Sequence, residues 1–292
     1  MNKEKILFAG QISKQAKEYA REITKKGVPL LEIAEKIEGK IFELGGKLAF
    51  PVNLSINEIV AHYTPSHDDE NLAHGLLKID LGVHVDGWIA DTAFSMDLEN
   101  NEENKKLIEA SEQALLKAQE TIKENISANE IGKRVSEVIE SKGFSPIINL
   151  SGHQIENYEL HAGVSIPNFD DKKKVILKKG LYAIEPFVTN GNGKVHDGKP
   201  SGIYIFLDNK KPRSQTAREI LNFIEEEYKT LPFCSRWIVK KFGTKALFGL
   251  RQLEENKNLH QFAQLVETPN AKVSQKENTI IIDSNEKIIT SD

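Results

Sequence analysis

The sequence predicts an α+β fold built from two related halves, the second interrupted by an inserted segment of mostly helical character. Three observations carry this. EIAEKI (32–37) and EIGKRV (130–135) both follow an amphipathic helix and both precede an Asn-Leu-Ser tripeptide, at 53–55 and 149–151. GLLKID (75–80) is matched by GLYAIE (180–185), two apolar runs that each end on an acid. The first acid has a second one, Asp91, just across a short hairpin, whereas Glu185 finds its counterpart Glu277 only far downstream. Repeated order of this kind points to an internal duplication, and the long gap points to an insertion of roughly residues 195–262.

Each element follows from local pattern. Ile12, Ala16, Ala20 and Ile23 recur at helical spacing, so residues 6–25 read as an amphipathic helix. Pro29 suits a first helical turn, and the helix it opens stops at Gly45-Gly46. Residues 101–124 are helical by composition, and Ser127 with Glu130 forms a capping box for a helix ending near Gly143. KIDLGVHV and WIADTAFSM flank Asp86-Gly87, a two-residue turn signal. If Val85 pairs with Trp88, Gly82 opposes Asp91, and Asp80 shares its face at a backbone distance of about 7–8 Å. TIIID after Glu277 is strand-prone, and TAREILNFIEEEYKTL within the insertion is helical.

Composition narrows the function classes. Hydrophobic residues make up 39% and charged residues 28%, as in ordinary globular proteins, and the net charge of -4 offers no basic field for nucleic acid. Cys234 is the single cysteine, so no internal disulfide forms and a reducing, cytoplasmic setting is expected. The first residues lack the pattern of a secretory signal, and no apolar run reaches membrane-spanning length. Any metal site must use His and carboxylates.

The chemistry-bearing candidates fit that requirement. Asp80 and Asp91 on one strand face repel each other unless a cation lies between them; two acids that both face solvent would satisfy the same pattern. Glu185 ends an apolar strand and Glu277 begins another, so a twofold arrangement would gather four acids. Such a set suits two divalent ions, and an imidazole would turn the preference toward Mn, Co or Fe. His153 and His161 in NLSGHQIENYELHAGVSIP, with His62 in IVAHYTP, are the candidate imidazoles. His67, His74, His84, His196 and His260 are read as structural or surface residues.

The order Asp80, Asp91, His153, Glu185, Glu277 resembles the ligand set of the pita-bread, creatinase-like metallopeptidases. KIDLGVHVDGWIADTAFS, GHQIENYELHAGVSIP, AIEPF and NLSINEIVAHYTP are similar to motifs of type 2 methionine aminopeptidases, and the short N-terminal region is more like the archaeal members. The resemblance implies a pita-bread catalytic domain of residues 1–194 and 263–292 and two divalent ions, cobalt, manganese, iron or zinc. It implies that Asp80 binds one ion, Asp91 and Glu277 bridge, and His153 and Glu185 complete the second ion's shell. His62 and His161 would contact the scissile amide, Glu185 would shuttle a proton, and Phe50 would line the methionine pocket. Lys276 and Asn278 replace an aromatic and a His usual beside the last ligand, and a His common in the insertion is replaced around Ile203; all three are expected to bear on pocket shape.

Expected partners are peptide or nascent-chain N-termini, with transient ribosome contact and no membrane or specific nucleic acid; the expected state is a monomer. An X-Pro aminopeptidase or prolidase on the same fold is one competing reading, although those carry a further N-terminal domain. A non-catalytic ribosome- or RNA-associated protein is another, for which Arg236, Lys240, Lys241 and Lys245 would be the basic face.

Overall fold

The computed structural model describes residues 1–284 and 286–291. Helices α1 (Lys3–Ile23) and α2 (Leu30–Glu43) precede strands β1 (Lys47–Ile56), β2 (Ile59–Ala61), β3 (Leu76–Val85) and β4 (Trp88–Asp97). Helices α3 (Glu102–Thr121) and α4 (Ala128–Ser141) repeat the pair, followed by β5 (Ser145–Pro146), β6 (Ser151–Ile155), β7 (Ser165–Pro167), β8 (Gly180–Ile184) and β9 (Phe187–Thr189). The next stretch holds β10 (His196–Phe206), α5 (Gln215–Glu227), β11 (Phe233–Cys234), α6 (Ser235–Phe242), α7 (Ala246–Glu255) and β12 (Leu259–Val266). Strands β13 (Val273–Gln275), β14 (Glu277–Asp283) and β15 (Glu286–Ile289) close the chain.

The main sheet runs β1-β3-β4-β14-β8-β6-β7, with β15 added on β14. The first half supplies β1, β3 and β4, the second supplies β6, β8 and β14, and they meet at β4–β14, so the order reads alike from either side. The helix pairs cover the two halves separately. Ile12, Ala16, Ile33 and Ile37 share a buried cluster with Ile79, Leu81 and Val83 of β3, whereas Leu107, Ala114 and Ile131 bury with Tyr182, Ile184 and Ile280. One apolar stripe per helix is enough to fix this docking.

Two local expectations differ in detail. Ser127 is the residue before α4, but its hydroxyl donates to the Lys173 carbonyl at 3.5 Å instead of capping the helix. Glu130 is drawn to Arg134 one turn on, at 3.0 Å, so the reciprocal box does not form. Pro29 likewise stands just outside α2, with ψ of 133°.

The β10–β12 ladder was not legible as strand. HDGKPSGIYIF carries two glycines and a proline and is largely exposed at its start, so it lacks strand alternation. These strands join β11 and β2 in a separate sheet, β11-β10-β12-β2, against which α5 and α7 pack through Ile220, Ile224 and Leu250. The whole stretch lies between β8 and β14, which pair directly with each other, Asn278 opposite Ile184. Of the basic residues of α6, Arg236 alone is buried, and Lys240 and Lys241 are exposed. Arg236 is buried against Glu38, Lys240 lies 3.7 Å from Glu35, and Lys241 stands over the Phe223 ring.

The β3–β4 hairpin has the register that the turn dictates: Val85 faces Trp88, Gly82 faces Asp91, and Asp80 faces Ala93. Asp86 and Gly87 have φ of 49° and 81°, the two left-handed residues a type I′ turn needs. His84 stabilises this turn, its Nδ1 accepting the Gly87 N–H at 3.0 Å. Burial foremost, with Lys47 and Lys229 nearby, pushes its pKa down from 6.5 to about 4, against the opposing pull of Asp86 and Glu227. The folded state therefore keeps His84 neutral while the unfolded chain takes up the proton, and stability present above 6.5 drains away as pH falls toward 4. His84→Asn, which retains an acceptor for Gly87, is expected to flatten this part of the curve of melting temperature against pH. Parallel acid limbs in the two proteins would contradict it.

Candidate metal centre

Strand parity brings the sequence-marked acids onto one face. Asn53 on β1 faces Asp80 on β3, Asp80 faces Ala93 on β4, and Ala93 faces Glu277 on β14. Asn278 is opposite Ile184, so the next step of that ladder sets Glu277 across from Glu185. Asp91 shares the face because it opposes Gly82, two residues from Asp80. All four acids, with His153 from β6, line a cavity of about 400 Å³.

Their environment is hostile to four free negative charges. Burial raises the Asp80 pKa to about 7. Burial, then the neighbouring acids, hold Asp91, Glu185 and Glu277 well above the ordinary carboxylate range. Asp80 Oδ1, Asp91 Oδ1 and Glu277 Oε1 are buried without a hydrogen-bond partner among the described residues. Asp91, His153 and Glu277 each offer a donor atom, and these atoms lie within 4.8 Å of one another. Oxygen-rich donors plus one imidazole fit first-row divalent ions.

The tautomer of His153 leaves a ring lone pair facing the acids. Its Nδ1 faces the Gln154 carbonyl at 3.4 Å, which can only accept, so Nδ1 carries the proton. Nε2 then presents a lone pair toward Asp91 Oδ2 at 3.6 Å and Glu185 Oε1 at 3.8 Å. Burial and the adjacent His161 depress its pKa to about 3, so the ring stays neutral. A lone pair aimed at carboxylate oxygens is repulsive unless a cation or a proton stands between them.

The remaining candidates form the walls. His161 meets His153 edge to face at 4.3 Å, and burial lowers its pKa. His62 has φ of 63°, and its Nδ1 donates to the Ala263 carbonyl at 3.2 Å, leaving Nε2 as an acceptor. Burial lowers its pKa as well. Phe50 lies against Gly82, where an added Cβ would stand 2.3 Å from the ring, so only glycine leaves room for it beside Asp91. Ile203 lines the cavity, as the altered position in the insertion implied. Lys276 and Asn278 do not line it, contrary to expectation. They project from the side of the chain opposite Glu277: Lys276 reaches Glu112 on α3 at 3.3 Å, and Asn278 accepts from Lys17 on α1 at 3.4 Å.

Two residues escaped the sequence reading. Gln275 donates from Nε2 to Glu185 and to Glu277, each at 3.4 Å, and its β13 backbone is clamped by the Ser95 hydroxyl at 2.8 and 2.9 Å. Its position two residues before Glu277, on the same strand face, was the available signal. Asn53 lines the cavity from β1 and was quoted only as part of a repeated tripeptide. Lys78, two residues before Asp80, ties the neighbouring backbone by donating to the carbonyls of Asn57 at 3.0 Å and Val273 at 2.9 Å.

The profile of metallopeptidase family M24 matches residues 4–224. The chain belongs to this family. A methionine aminopeptidase of Pyrococcus abyssi is 45% identical over 100% of both chains, and one of Methanocaldococcus jannaschii is 44% identical over 99% of this chain and 98% of that one. Among solved structures, a methionine aminopeptidase of Thermotoga maritima superposes with a TM-score of 0.70 at 22% identity, covering 99% of this chain and 95% of that one. A thermophilic Arx1 superposes with a TM-score of 0.83 at 17% identity, covering 98% and 89%. Prolidase from Pyrococcus furiosus gives 0.64 at 19% identity, and this chain spans only 63% of that one. The fold is the family's pita-bread arrangement, and family membership agrees with the acid and imidazole cluster as a place for divalent ions.

Gln275 orients two of the acids without competing for the ion. Gln275→Ala is expected to weaken divalent-metal affinity roughly 10–100-fold, the usual effect of losing such an outer partner. Competition titration against a chelator measures it, and unchanged affinity would show that the amide is incidental.

Proposed function

We propose that this chain is a metal-dependent aminopeptidase that removes the N-terminal methionine from peptides and nascent proteins by hydrolysis. The observation that carries the reading is the convergence of four buried acids and the lone pair of His153 in one cavity. Asp80, Asp91, His153, Glu185 and Glu277 would hold two divalent ions between them. Bound divalent ions supply a Lewis acid for the scissile carbonyl and lower the pKa of water toward neutrality.

The chain's own groups do the rest. A free α-amine suits the acid-lined end of the cavity, which favours cutting only the first residue. Phe50 lines the slot for the methionine side chain. His161 hydrogen-bonds the carbonyl oxygen as negative charge develops there. His62 accepts from the scissile amide N–H through Nε2, the nitrogen left open by its bond to Ala263. Glu185 carries the proton from the attacking water to the departing amide nitrogen.

Setting and organisation belong to the same reading. Residues 195–262 act as an inserted subdomain on a catalytic body of 1–194 and 263–292, a division supported by the direct β8–β14 pairing across it. The protein works as a monomer in the cytoplasm, with ribosome contact at most transient. Among the described residues no helix is long and apolar enough to cross a membrane.

Stripping the protein of metal and restoring manganese, cobalt, iron or zinc is expected to restore release of methionine from Met-Ala-Ser. Asp80→Ala should lower kcat/KM by more than the roughly 10–100-fold typical of an outer-shell loss. A protein that loads two metals yet leaves this peptide intact would favour the non-catalytic binding reading, and preference for X-Pro peptides would favour the prolidase one.

A further inference from the structure

We infer that the buried Glu38–Arg236 pair is a positioning device for the substrate cavity, holding the His62 segment in its working conformation. The inference rests on the aminopeptidase reading for the role of His62. Glu38 lies on α2 in the first half and Arg236 on α6, 198 residues away. The guanidinium meets the carboxylate as a fork, Nη1 to Oε2 and Nη2 to Oε1, both at 2.8 Å, with side chains only 4% and 7% exposed. Burying such a pair costs desolvation, and well-packed apolar residues often serve stability as well or better. Stability alone is therefore a poor account of it.

Its other contacts show what it orders. Arg236 Nε donates to the Pro65 carbonyl at 3.0 Å, and Nη2 reaches the Thr64 hydroxyl at 3.4 Å. Thr64 in turn donates to the Val52 carbonyl at 2.9 Å, and Glu38 accepts the Val52 N–H at 3.4 Å. Val52 lies between Phe50 and Asn53, which line the cavity. One ionic cluster thus grips both the β1 wall and the strand-end segment that carries His62.

That segment needs gripping. His62 has φ of 63°, a left-handed conformation that a non-glycine residue keeps only where its surroundings over-determine it. On its N-terminal side Ala61 is paired with Leu265 of β12, and His62 itself bonds Ala263. On the C-terminal side the Tyr63 carbonyl accepts the Leu54 N–H at 2.7 Å, and Arg236 adds a hold at Thr64 and Pro65. The β12 pairing and the Arg236 contacts come from the inserted segment and the strand that ends it, which thereby act as positioning elements and not only as a wall.

The test uses the metal-loaded protein with Arg236→Lys, which keeps the charge but loses the fork, and Glu38→Gln, which keeps the shape but loses the charge. Each is expected to lower kcat/KM for Met-Ala-Ser about 10–100-fold, the scale of a small misplacement of a catalytic group, with bound metal unchanged. His62→Ala should abolish most of the further effect of Arg236→Lys, because the latch acts through that residue. Amide hydrogen exchange of residues 61–64 should quicken in both latch variants. A variant that melts lower yet keeps wild-type kcat/KM at a temperature where it is folded, or additive losses with His62→Ala, would overturn the inference. A wild-type protein inactive on the peptide would sink the aminopeptidase reading instead; exchange at 61–64 then decides the latch alone, and unchanged exchange rejects it.

Discussion

Mutual repulsion among four carboxylates buried in one cavity is the constraint on which the rest of the molecule depends. Asp91 and Glu277 bring carboxylate oxygens within 4.8 Å of each other, where an effective dielectric of about 20 makes two ionised groups repel by roughly 3 kcal/mol. A handful of such pairs approaches the whole stability of a domain, typically about 5–15 kcal/mol. The arrangement is tolerable only with protons or cations present, and His153 tips the balance. Its lone pair faces two of the acids, and its remaining proton is already committed to the Gln154 carbonyl. A cation between them relieves the acids and the imidazole together, whereas at 3.6 and 3.8 Å neither acid is within hydrogen-bond reach to offer the lone pair a proton.

Holding repelling groups together requires a scaffold that does not yield, and a sheet with side-chain clamps provides it. The β4–β14 ladder comprises only two residue pairs, Glu277 with Ala93 and Asn278 with Thr92. Side chains take over where it stops: Thr279 accepts the Asp91 N–H at 2.7 Å and donates to its carbonyl at 2.8 Å, and Thr92 donates to the Glu277 carbonyl at 2.8 Å. Behind them Lys78 fastens β13, whose Gln275 amide reaches the acids from the side. The backbone bearing each acid is thus held independently of what the acid binds.

The parts of the site that were legible in the sequence share a physical cause. A two-residue turn fixes register, register with period-two alternation fixes faces, and so Asp80 and Asp91 could be set side by side from residues alone. The duplication extended the same logic to Glu185 and Glu277. What escaped depends on partners distant in sequence or on competing local bonds. Arg236 reads as one member of a basic stripe, because nothing near it reveals Glu38. Ser127 and Glu130 have a cap's spacing, but Lys173 and Arg134 take their side chains. Lys276 and Asn278 flank Glu277 in sequence, yet alternation sends both to the other side, toward α3 and α1. Strand β10 is hidden by its glycines and proline.

A twofold scaffold has a further consequence for direction. Two acids from each half give a site that treats its two ends alike, but a peptide has distinct ends and must enter one way. The symmetry is broken twice in this chain. His153 joins the acids from the second half, opposite Ala183 and two residues from the Glu185 position, whereas the matching pairing of the first half, Ser55 opposite Lys78, supplies no imidazole. The inserted segment and the strand that ends it then wall one side of the cavity with Ile203, Phe262 and Leu265 and hold His62 through the Ala263 carbonyl. A duplicated sheet accounts for the acids; the asymmetry of imidazoles and insertion is what gives the cavity an orientation, and orientation is what an enzyme acting at one chain end needs.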